Sequence, residues 1–527
     1  MSNTTHRFRW LWAIALLVVL LAVLLFQARS NPEATTNQPA DASQVAETDS
    51  AEPSPEADGS VEEALPVLDS LPSWDQDKPP ARRNLDLQHW TTEQGTRVYF
   101  MPAAELPMVD VQLLFSAGAS RDDGQPGLAT LTNGMLGEGT ENRDAGEIAA
   151  GFERLGAQFS NSSHRDMASA SLRSLAAPDK LDPAINLFAE VVTRPSFPAD
   201  AFERLRNQLL ASLQFRLQQP SALASETFWN GLYGDHPYGH LPQGTPESLS
   251  ALTPQELEAF HQRFYSAGNA VVSIVGAIDR RQAERIAQRL ADALPQGPAA
   301  DPLPPPEQAP VETGRKHVEF HGQQVHILMG QLGINRGDPD YAALYVANEI
   351  LGGSGFGSRL MEEIRERRGL SYSVSSGFSP MQVAGPFIIR MQTRADQAEL
   401  ALSVLNDSLR SFIENGPTEA ELKRTKRQLM GAFPLSTASN AAIVGQLGMI
   451  GFYDLPLNHL QLFMDQVQAL TVEQVRDAFA RHISLDQQLI VTVGPPPEPE
   501  AETTEGEDAA QQPGETSEPE ATETEQP

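Results

Sequence analysis

Two stretches of the sequence carry side chains whose types and spacing could hold a metal ion. In the first, HPYGH, His236 and His240 are four residues apart, which places two imidazoles on one face of a helix. Pro237 and Gly239 lie between them, however, and both disfavour a helix. We therefore do not expect a metal site in this stretch.

The second stretch contains His317, Glu319 and His321, which alternate along a predicted strand and so share one of its faces. Three such ligands could form a facial metal site, but a solvated strand is the commoner arrangement and we favour it. The glycine-rich stretch GGSGFGS at residues 352–358 lacks both the G-x-S-x-G pattern of serine hydrolases and the lysine of a phosphate-binding loop. We predict a flexible turn before a helix there.

Composition excludes several classes of function. The chain of 527 residues has a net charge of −31, and such a chain is poorly suited to neutralising phosphates, so we expect no nucleic-acid partner. It has no cysteine, which excludes thiolate zinc sites, cysteine nucleophiles and disulfides. Most of the acidic excess lies in residues 30–80 and 495–527, so it says little about ligands of the middle of the chain.

The N-terminal region reads as a membrane anchor. Residues 10–26 are apolar and uncharged, and Arg7 and Arg9 precede them. A helix of this length rises about 1.5 Å per residue, which is just enough to span a bilayer core. The positive-inside rule then predicts a cytoplasmic stub and signal anchor over residues 1–29 in the inner membrane, with the bulk of the chain periplasmic.

The acidic regions are predicted to be disordered because they are rich in Pro, Ser, Ala and acid and cannot bury enough apolar surface to fold. They form a stalk over residues 30–84 and a tail over residues 495–527. Between them the sequence repeats itself. Residues 251–276 and 469–494 share one layout: a threonine N-cap, a capping-box residue three positions later, an amphipathic helix, and a β-branched strand that ends in Val-Gly.

Further blocks repeat in the same order. LGAQFSNSS at 155–163 matches RGLSYSVSS at 368–376, and residues 202–213 match residues 421–433. Because several blocks recur at similar offsets, we infer a duplication.

The repeat defines the predicted fold class, which is α+β with two tandem homologous domains. We assign them to residues 85–297 and 314–494, joined by a Pro-rich linker at 298–313. Each domain opens with strands and places long helices between later strands. This order predicts a mostly antiparallel sheet with helices packed on one face.

The same blocks resemble the pitrilysin family of zinc peptidases, which includes insulinase and the mitochondrial processing peptidase. The resemblance covers most of residues 90–494 and rests on SAGASRDDGQPGLA followed by MLGEGT, on HPYGH, and on ILGGSGFGSRLMEEIRERRGLSYSV at 350–374. In active members, a helix carries an inverted H-x-x-E-H motif whose two histidines hold Zn²⁺ and whose glutamate activates water. A more distant glutamate is the third ligand.

This sequence departs from the family at every one of those positions. Thr130, Asn133 and Gly134 stand where the histidine, glutamate and histidine belong, and Ala211 and Ser212 stand near the position of the third ligand. None of these side chains replaces an imidazole or a carboxylate. We therefore expect no catalytic residue, no metal and no cofactor in this chain.

The resemblance implies a different role for the second half. Family members supply an arginine and, seven residues later, a tyrosine that contact substrate near the scissile bond, and Arg365 and Tyr372 have that spacing. Arginine offers forked donors to a peptide carbonyl, and a tyrosine hydroxyl can stabilise a developing oxyanion. A helix end with surface charges and a core tyrosine is the plainer alternative. We expect Arg367 and Arg368 to be solvated charges at a helix end.

Some bacterial and mitochondrial members of the family are heterodimers in which one subunit carries the zinc and the other carries the substrate-contacting pair. The resemblance thus implies that this chain is the non-catalytic, substrate-binding subunit of a membrane-anchored, extracytoplasmic zinc metallopeptidase complex. Its partner would be a homologous subunit with an intact H-x-x-E-H motif that supplies the zinc, and its substrate a peptide or an unfolded protein. The alternative is a peptidase-derived structural or peptide-binding scaffold with no proteolytic role. A self-sufficient metallopeptidase is the least favoured, since it would need zinc in the purified chain alone.

Overall fold

The computed structural model describes residues 85–307, 312–353, 355 and 357–496. The predicted anchor, the stalk and nearly all of the predicted tail lie outside these ranges, as do parts of the linker and of the turn at 352–358. No helix within the described ranges is long and apolar enough to cross a membrane.

Strands from the first half of the chain form a six-stranded sheet. These strands are β1 (Gln88–Thr91), β2 (Arg97–Pro102), β3 (Met108–Phe115), β4 (Gln158–Ser163), β5 (Ala168–Leu175) and β6 (Ala270–Gly276). Their order is β1-β2-β6-β3-β5-β4, and neighbouring strands are antiparallel except for the parallel pair of β2 and β6.

Strands from the second half form a five-stranded sheet. They are β7 (Gly314–Glu319), β8 (Gln324–Leu332), β9 (Val374–Phe378), β10 (Pro386–Arg394) and β11 (Leu489–Gly494). Their order is β7-β11-β8-β10-β9, with one parallel pair, β7 and β11. When β1 is set aside, the two sheets have the same strand order and the same directions, which is the arrangement that a duplicated sequence predicts.

Helices connect and cover these strands, so the described chain is a mixed α/β structure. In the first half they are α1 (Leu128–Gly134), α2 (Ala145–Leu155), α3 (Pro178–Thr193), α4 (Ala199–Arg216), α5 (Pro220–Tyr233), α6 (Pro246–Ala251), α7 (Pro254–Phe264) and α8 (Arg280–Ala293). In the second half they are α9 (Tyr341–Leu351), α10 (Ala398–Asn415), α11 (Glu419–Ala432), α12 (Asn440–Phe452), α13 (His459–Ala469) and α14 (Val472–His482).

The repeated helix starts have the predicted capping residues. Thr471 at the start of α14 accepts from the backbone N–H of Gln474 at 3.3 Å, and the Gln474 side chain accepts from the Thr471 N–H at 2.9 Å. At the start of α7, the Glu256 carboxylate accepts from the backbone N–H of Thr253 at 2.8 Å. Each bond satisfies a backbone donor that the first helical turn leaves without a partner.

One face of each sheet packs against helices of its own half. In the first sheet, the buried side chains of this face include Phe100, Val111 and Ile274, which join residues of α1 to α4 and of α6 to α8 in one hydrophobic core. In the second sheet, Ile327 and Ile389 pack with residues of α9, α10 and α14.

The opposite faces are covered by helices exchanged between the halves. Helix α12 of the second half places Leu447 and Ile450 against Tyr99, Leu114 and Val271 of the first sheet. Helix α5 of the first half lies reciprocally on the second sheet. Its Phe228 and Leu232 pack with side chains of β8, β10 and β11, namely Leu328, Ile388, Val491 and Val493.

The prediction that helices pack on one face of each sheet is therefore wrong. The physical reason is that the inner strands are apolar on both faces. Every residue of β6 (AVVSIVG) is buried. A sheet of this kind must be covered on both sides to keep its apolar area from water.

Candidate functional site

The degenerate zinc helix α1 is held at its start by a buried carboxylate. Asp122 is fully buried and accepts hydrogen bonds from the backbone N–H groups of Gly127 (3.0 Å) and Ala129 (2.8 Å). His240 Nε2 lies 3.0 Å from the same carboxylate. Burial raises the pKa of Asp122, and these hydrogen bonds oppose that shift by favouring the charged form. The frame of α1 is thus fixed without a metal ion.

Glycine is required where α1 begins. Gly127 has φ of 99°, in the left-handed region that side chains disfavour. A Cβ at this position would also lie 2.7 Å from the Leu249 side chain. The retained Gly-Leu-Ala sequence therefore has a structural explanation that does not depend on catalysis.

The residues at the former ligand positions are engaged in other contacts. The Thr130 hydroxyl donates to the carbonyl of Pro242 at 2.6 Å. Asn133 is buried, and its amide donates to the Tyr265 hydroxyl (3.2 Å) and to the carbonyl of Ser169 (3.3 Å). Gly134 contributes no side chain. These residues do not fit a zinc ion, because they offer neither an imidazole nor a carboxylate to it.

The residues at the third ligand position and in the two histidine stretches do not provide a zinc site either. Ala211 and Ser212 are exposed on α4. Both ring nitrogens of His236 are engaged, since Nδ1 accepts from the Tyr238 N–H (3.1 Å) and Nε2 lies 2.9 Å from the Pro304 carbonyl. His317 Nδ1 lies 2.9 Å from Thr492 Oγ1.

Within the described ranges, three potential metal ligands come together at one place, formed by Asp338, Asp340 and His482. No residue of HPYGH, and none of His317, Glu319 and His321, belongs to this group. The Arg481 guanidinium contacts both carboxylate oxygens of Asp340 at 2.8 Å, and His482 Nε2 lies 3.0 Å from it. These contacts lower the pKa of Asp340 against the opposing effect of burial. We interpret the group as an ion-pair network that ties the start of α9 to the end of α14.

The structure brings Arg365 and Tyr372 together. Arg365 lies in a π-helical segment, Met361–Glu366, and its guanidinium carbon is 4.8 Å from the centroid of the Tyr372 ring. The Arg365 Nε atom is also 3.5 Å from the Glu366 carboxylate. Tyr372 is 82% exposed, so it is not the core tyrosine of the plainer alternative. The pair presents a guanidinium and a phenol at the surface.

The neighbouring arginines are engaged differently. Arg367 forms ion pairs of 2.6 Å with both Glu362 and Glu363, and Arg368 pairs with Glu363. Their exposed positions agree with the predicted solvated charges, although local carboxylates rather than the helix dipole are their partners.

A cavity of about 530 Å³ adjoins Tyr372. Its walls are the segment 369–375, the strands β8 and β10, and the first turn of α5. This cavity was not predicted, because it forms between the exchanged helix α5 and a sheet that begins about a hundred residues further along the chain.

A buried polar network that joins the two halves was also not predicted. Asp166, which is 2% exposed, accepts hydrogen bonds from the hydroxyls of Tyr238 and Tyr453 and from the backbone N–H of Gln382 (2.8 Å). Burial raises the pKa of Asp166, and these donors oppose the shift. Nearby, burial lowers the pKa of Arg165 to about 10. The stretch HPYGH contains Tyr238, but the sequence alone could not link this tyrosine to Asp166, which lies 72 residues away.

Two family models match the chain. The model of insulinase, peptidase family M16, matches residues 101–240, and the model of the peptidase M16 inactive domain matches residues 251–429. A Helicobacter pylori protein called non-peptidase homolog YmxG is 28% identical over 389 residues, which are 72% of this chain and 88% of that protein. A Mycobacterium leprae protein called an uncharacterized zinc protease is 28% identical over 425 residues, 79% and 93% of the two chains.

Solved structures agree with these matches. The crystal structure of a peptidase M16 inactive domain from Pseudomonas fluorescens is 50% identical, with a TM-score of 0.76 over 78% of this chain and 98% of that one. The structure of a protease from Helicobacter pylori, 21% identical, has a TM-score of 0.71 over 78% and 100% of the two chains and shares the fold.

Proposed function

Since this chain belongs to the M16 family of peptidases, we propose that it is the non-catalytic, substrate-binding subunit of a membrane-anchored, extracytoplasmic zinc metallopeptidase complex. The chain is not an active peptidase by itself, as relatives called a non-peptidase homologue and an inactive domain indicate. Its substrates would be peptides or unfolded proteins, and the zinc would be supplied by a partner subunit of the same family that carries an intact H-x-x-E-H motif.

The observation that carries this proposal is the surface pair of Arg365 and Tyr372. A tyrosine that is 82% exposed contributes little to stability, so its position beside an arginine suggests a use in binding. The guanidinium can donate to a peptide carbonyl while the phenol donates to an oxygen that gains negative charge during attack. Both groups would act on a peptide held at the zinc of the partner subunit.

Helix α1 keeps its position but has lost its zinc ligands, which supports a complex in which a second subunit supplies the zinc. Asp122, His240 and Gly127 keep this helix in place although its ligand positions are replaced. The chain therefore preserves the fold of a peptidase half, which a partner of the same family can recognise, and lacks the residues that would bind a second zinc ion.

The location in the cell rests on sequence alone. Residues 10–26 would anchor the chain in the inner membrane, and residues 30–84 would act as a spacer that holds the folded part in the periplasm. The predicted absence of a nucleic-acid partner follows from the net charge.

A scaffold without a proteolytic role is the second candidate, and the H. pylori relative called a non-peptidase homologue favours it. The two candidates differ in what they bind and in their genomic setting, because only the first needs a neighbouring gene for a zinc-bearing subunit.

Co-purification from the native membrane separates them. The chain is isolated with its bound proteins, the zinc content of each component is measured, and peptide cleavage is assayed for the chain alone and for the complex. The proposal predicts a family partner with about one zinc ion and cleavage by the complex only. Recovery without such a partner, or cleavage by the chain alone, contradicts it.

A further inference from the structure

The cavity beside Tyr372 has an unusual electrostatic lining for so acidic a chain. Among the described residues that line it there is no Asp or Glu, whereas Arg390, Arg394 and His326 contribute to its walls. The chain as a whole carries a net charge of −31. Most of that charge belongs to residues 30–80 and 495–527, so the cavity is better judged by its own lining, in which cationic donors favour an anion.

Arg390 differs from Arg394 in its ion pairing. Among the residues that the structure describes, no carboxylate forms an ion pair with it, whereas Arg394 is paired with Asp396 through a contact of 3.0 Å at Nε. The Arg390 residue is partly exposed, and desolvation by the surrounding chain lowers the pKa of its guanidinium. A partly desolvated cation is stabilised when an anion joins it.

The sheet places further polar groups beside this guanidinium. Arg390 pairs in register with Leu328, and Gln392 pairs with His326, so these side chains share the face that α5 covers further along. Helix α5 begins at this cavity, with Ser221 in its first turn. The N-terminal end of a helix favours negative charge, which adds to the effect of the arginine.

We propose that this cavity is a carboxylate-binding site for an acidic peptide segment, in which Arg390 holds a glutamate or aspartate side chain. The arginine fork matches the two oxygens of a carboxylate, and the hydroxyl of Tyr372 provides a further donor at the rim. The cavity has room for one or two side chains and is open, which suits a segment that binds through a few anchoring residues.

The chain itself contains a segment of the required chemistry. Residues 495–527 include eleven Asp or Glu and no basic residue. This segment begins where β11 ends, and Val493 of β11 is paired with His326, a residue of the cavity wall. Strand β11 therefore ends beside a wall of the cavity, and the 33 residues of this segment are enough to reach it, since an extended chain spans about 3.3 Å per residue. An acidic stretch of a peptide substrate is the other source of the same chemistry.

This inference does not rest on the proposed function, because a carboxylate site needs neither the partner subunit nor cleavage. Its test is binding to the isolated chain. A negative result would leave the turnover experiment in the Discussion unaffected, and the two outcomes can be told apart.

The probe is a fluorescein-labelled peptide with the sequence of residues 515–525, ETSEPEATETE, and its binding is measured by fluorescence anisotropy. The matched probe has every Glu replaced by Gln. We expect the Gln peptide to bind at least about tenfold more weakly, and Arg390→Gln to weaken the Glu peptide by a similar factor. Raising NaCl from about 50 to about 300 mM should also weaken binding.

Arg410→Gln is the matched control, because Arg410 is an exposed arginine on α10 that does not line the cavity. It should leave the affinity unchanged. Equal binding of the Glu and Gln peptides, or an unaltered affinity in Arg390→Gln, would overturn the proposal. The peptide comparison uses the unmodified chain, so it decides the matter even if Arg390→Gln does not fold.

The source of the ligand is decided by comparing the full chain with a chain that ends at residue 496, which retains every described residue. If the tail occupies the site, the full chain binds the probe several-fold more weakly than the shortened chain. Equal affinities assign the site to acidic segments of other peptides. Both results support a carboxylate site and differ only in its occupant.

Discussion

The hydroxyl of Tyr453 donates a hydrogen bond of 3.0 Å to the carboxylate of Asp166. The donor directly follows α12 of the second half, and the acceptor lies between β4 and β5 of the first. The bond therefore joins the two halves at the end of α12, the helix of the second half that covers the first sheet. The Asp166 carboxylate that accepts this bond is buried.

Tyr453→Phe should lower the free energy of unfolding by about 1–3 kcal/mol, because it removes one donor from a buried carboxylate and leaves the ring in place. Urea unfolding followed by tryptophan fluorescence measures this change. Tyr372→Phe is the control, since its hydroxyl belongs to an 82% exposed side chain, and we expect a change below about 0.5 kcal/mol. Equal effects of the two substitutions would show that the Asp166 network does not stabilise the fold.

Adjacent aspartates at the start of α1 should respond differently to the same substitution. Asp122→Asn removes an acceptor oxygen from a fully buried group that holds Gly127, Ala129 and His240, and should cost about 2–4 kcal/mol of stability. Asp123→Asn changes an exposed residue paired with an exposed Arg263, and should cost less than about 1 kcal/mol. Thermal or urea unfolding checks both. A mild effect at Asp122 would contradict its role in holding the helix.

The packing of α12 on the first sheet can be tested with two glycines of that helix. A Cβ on Gly451 would lie 2.5 Å from atoms of Tyr99 and Val271, so Gly451→Ala should destabilise the chain by about 1–3 kcal/mol. Gly445 has open space around it, and Gly445→Ala should stabilise by up to about 1 kcal/mol through helix propensity. Equal signs for the two substitutions would mean that α12 does not pack on the sheet as described.

His261 should make stability depend on pH. It is buried, its Nε2 lies 2.8 Å from the Val192 carbonyl, and burial lowers its pKa from 6.5 to about 4. The unfolded chain takes up the proton first as pH falls, so the stabilising contribution is complete above pH 6.5 and is lost as pH falls towards 4, by about 3 kcal/mol in all.

Urea unfolding of the unmodified chain and of His261→Gln at several pH values between 7 and about 4 measures this contribution. The difference in stability between them should shrink as pH falls, because the variant lacks the titrating group. A constant difference across this interval would show that His261 does not titrate as its burial requires.

The extent to which sequence anticipates this structure depends on the range of the contacts. The repeat predicts that the two halves share one architecture, and the capping residues Thr253 and Thr471 mark helix starts, because these features are read from local sequence patterns. The loss of the zinc ligands can also be recognised in the sequence, since it depends on residue types alone. What escapes prediction is the exchange of α5 and α12, because each of these helices packs on strands that lie far from it in the sequence.

The candidate site divides in the same way. The spacing of Arg365 and Tyr372 is visible in the sequence, and so is the replacement of ligands at Thr130, Asn133 and Gly134. The π-helical geometry that sets the arginine over the ring is not visible. Nor is the carboxylate-free cavity around Arg390, because its walls come from segments far apart in the chain.

The central claim is that this chain contributes Arg365 and Tyr372 to the active site of a zinc-bearing partner. Turnover of an unfolded peptide by the purified complex is the direct measurement, made with Arg365→Ala, with Tyr372→Phe and with the control Arg367→Ala, whose arginine is engaged by Glu362 and Glu363. Each complex is first shown to remain assembled and to hold its zinc. The account predicts that the first two substitutions lower turnover by about 10-fold or more while the control retains it. Unchanged turnover in both Arg365→Ala and Tyr372→Phe would contradict it.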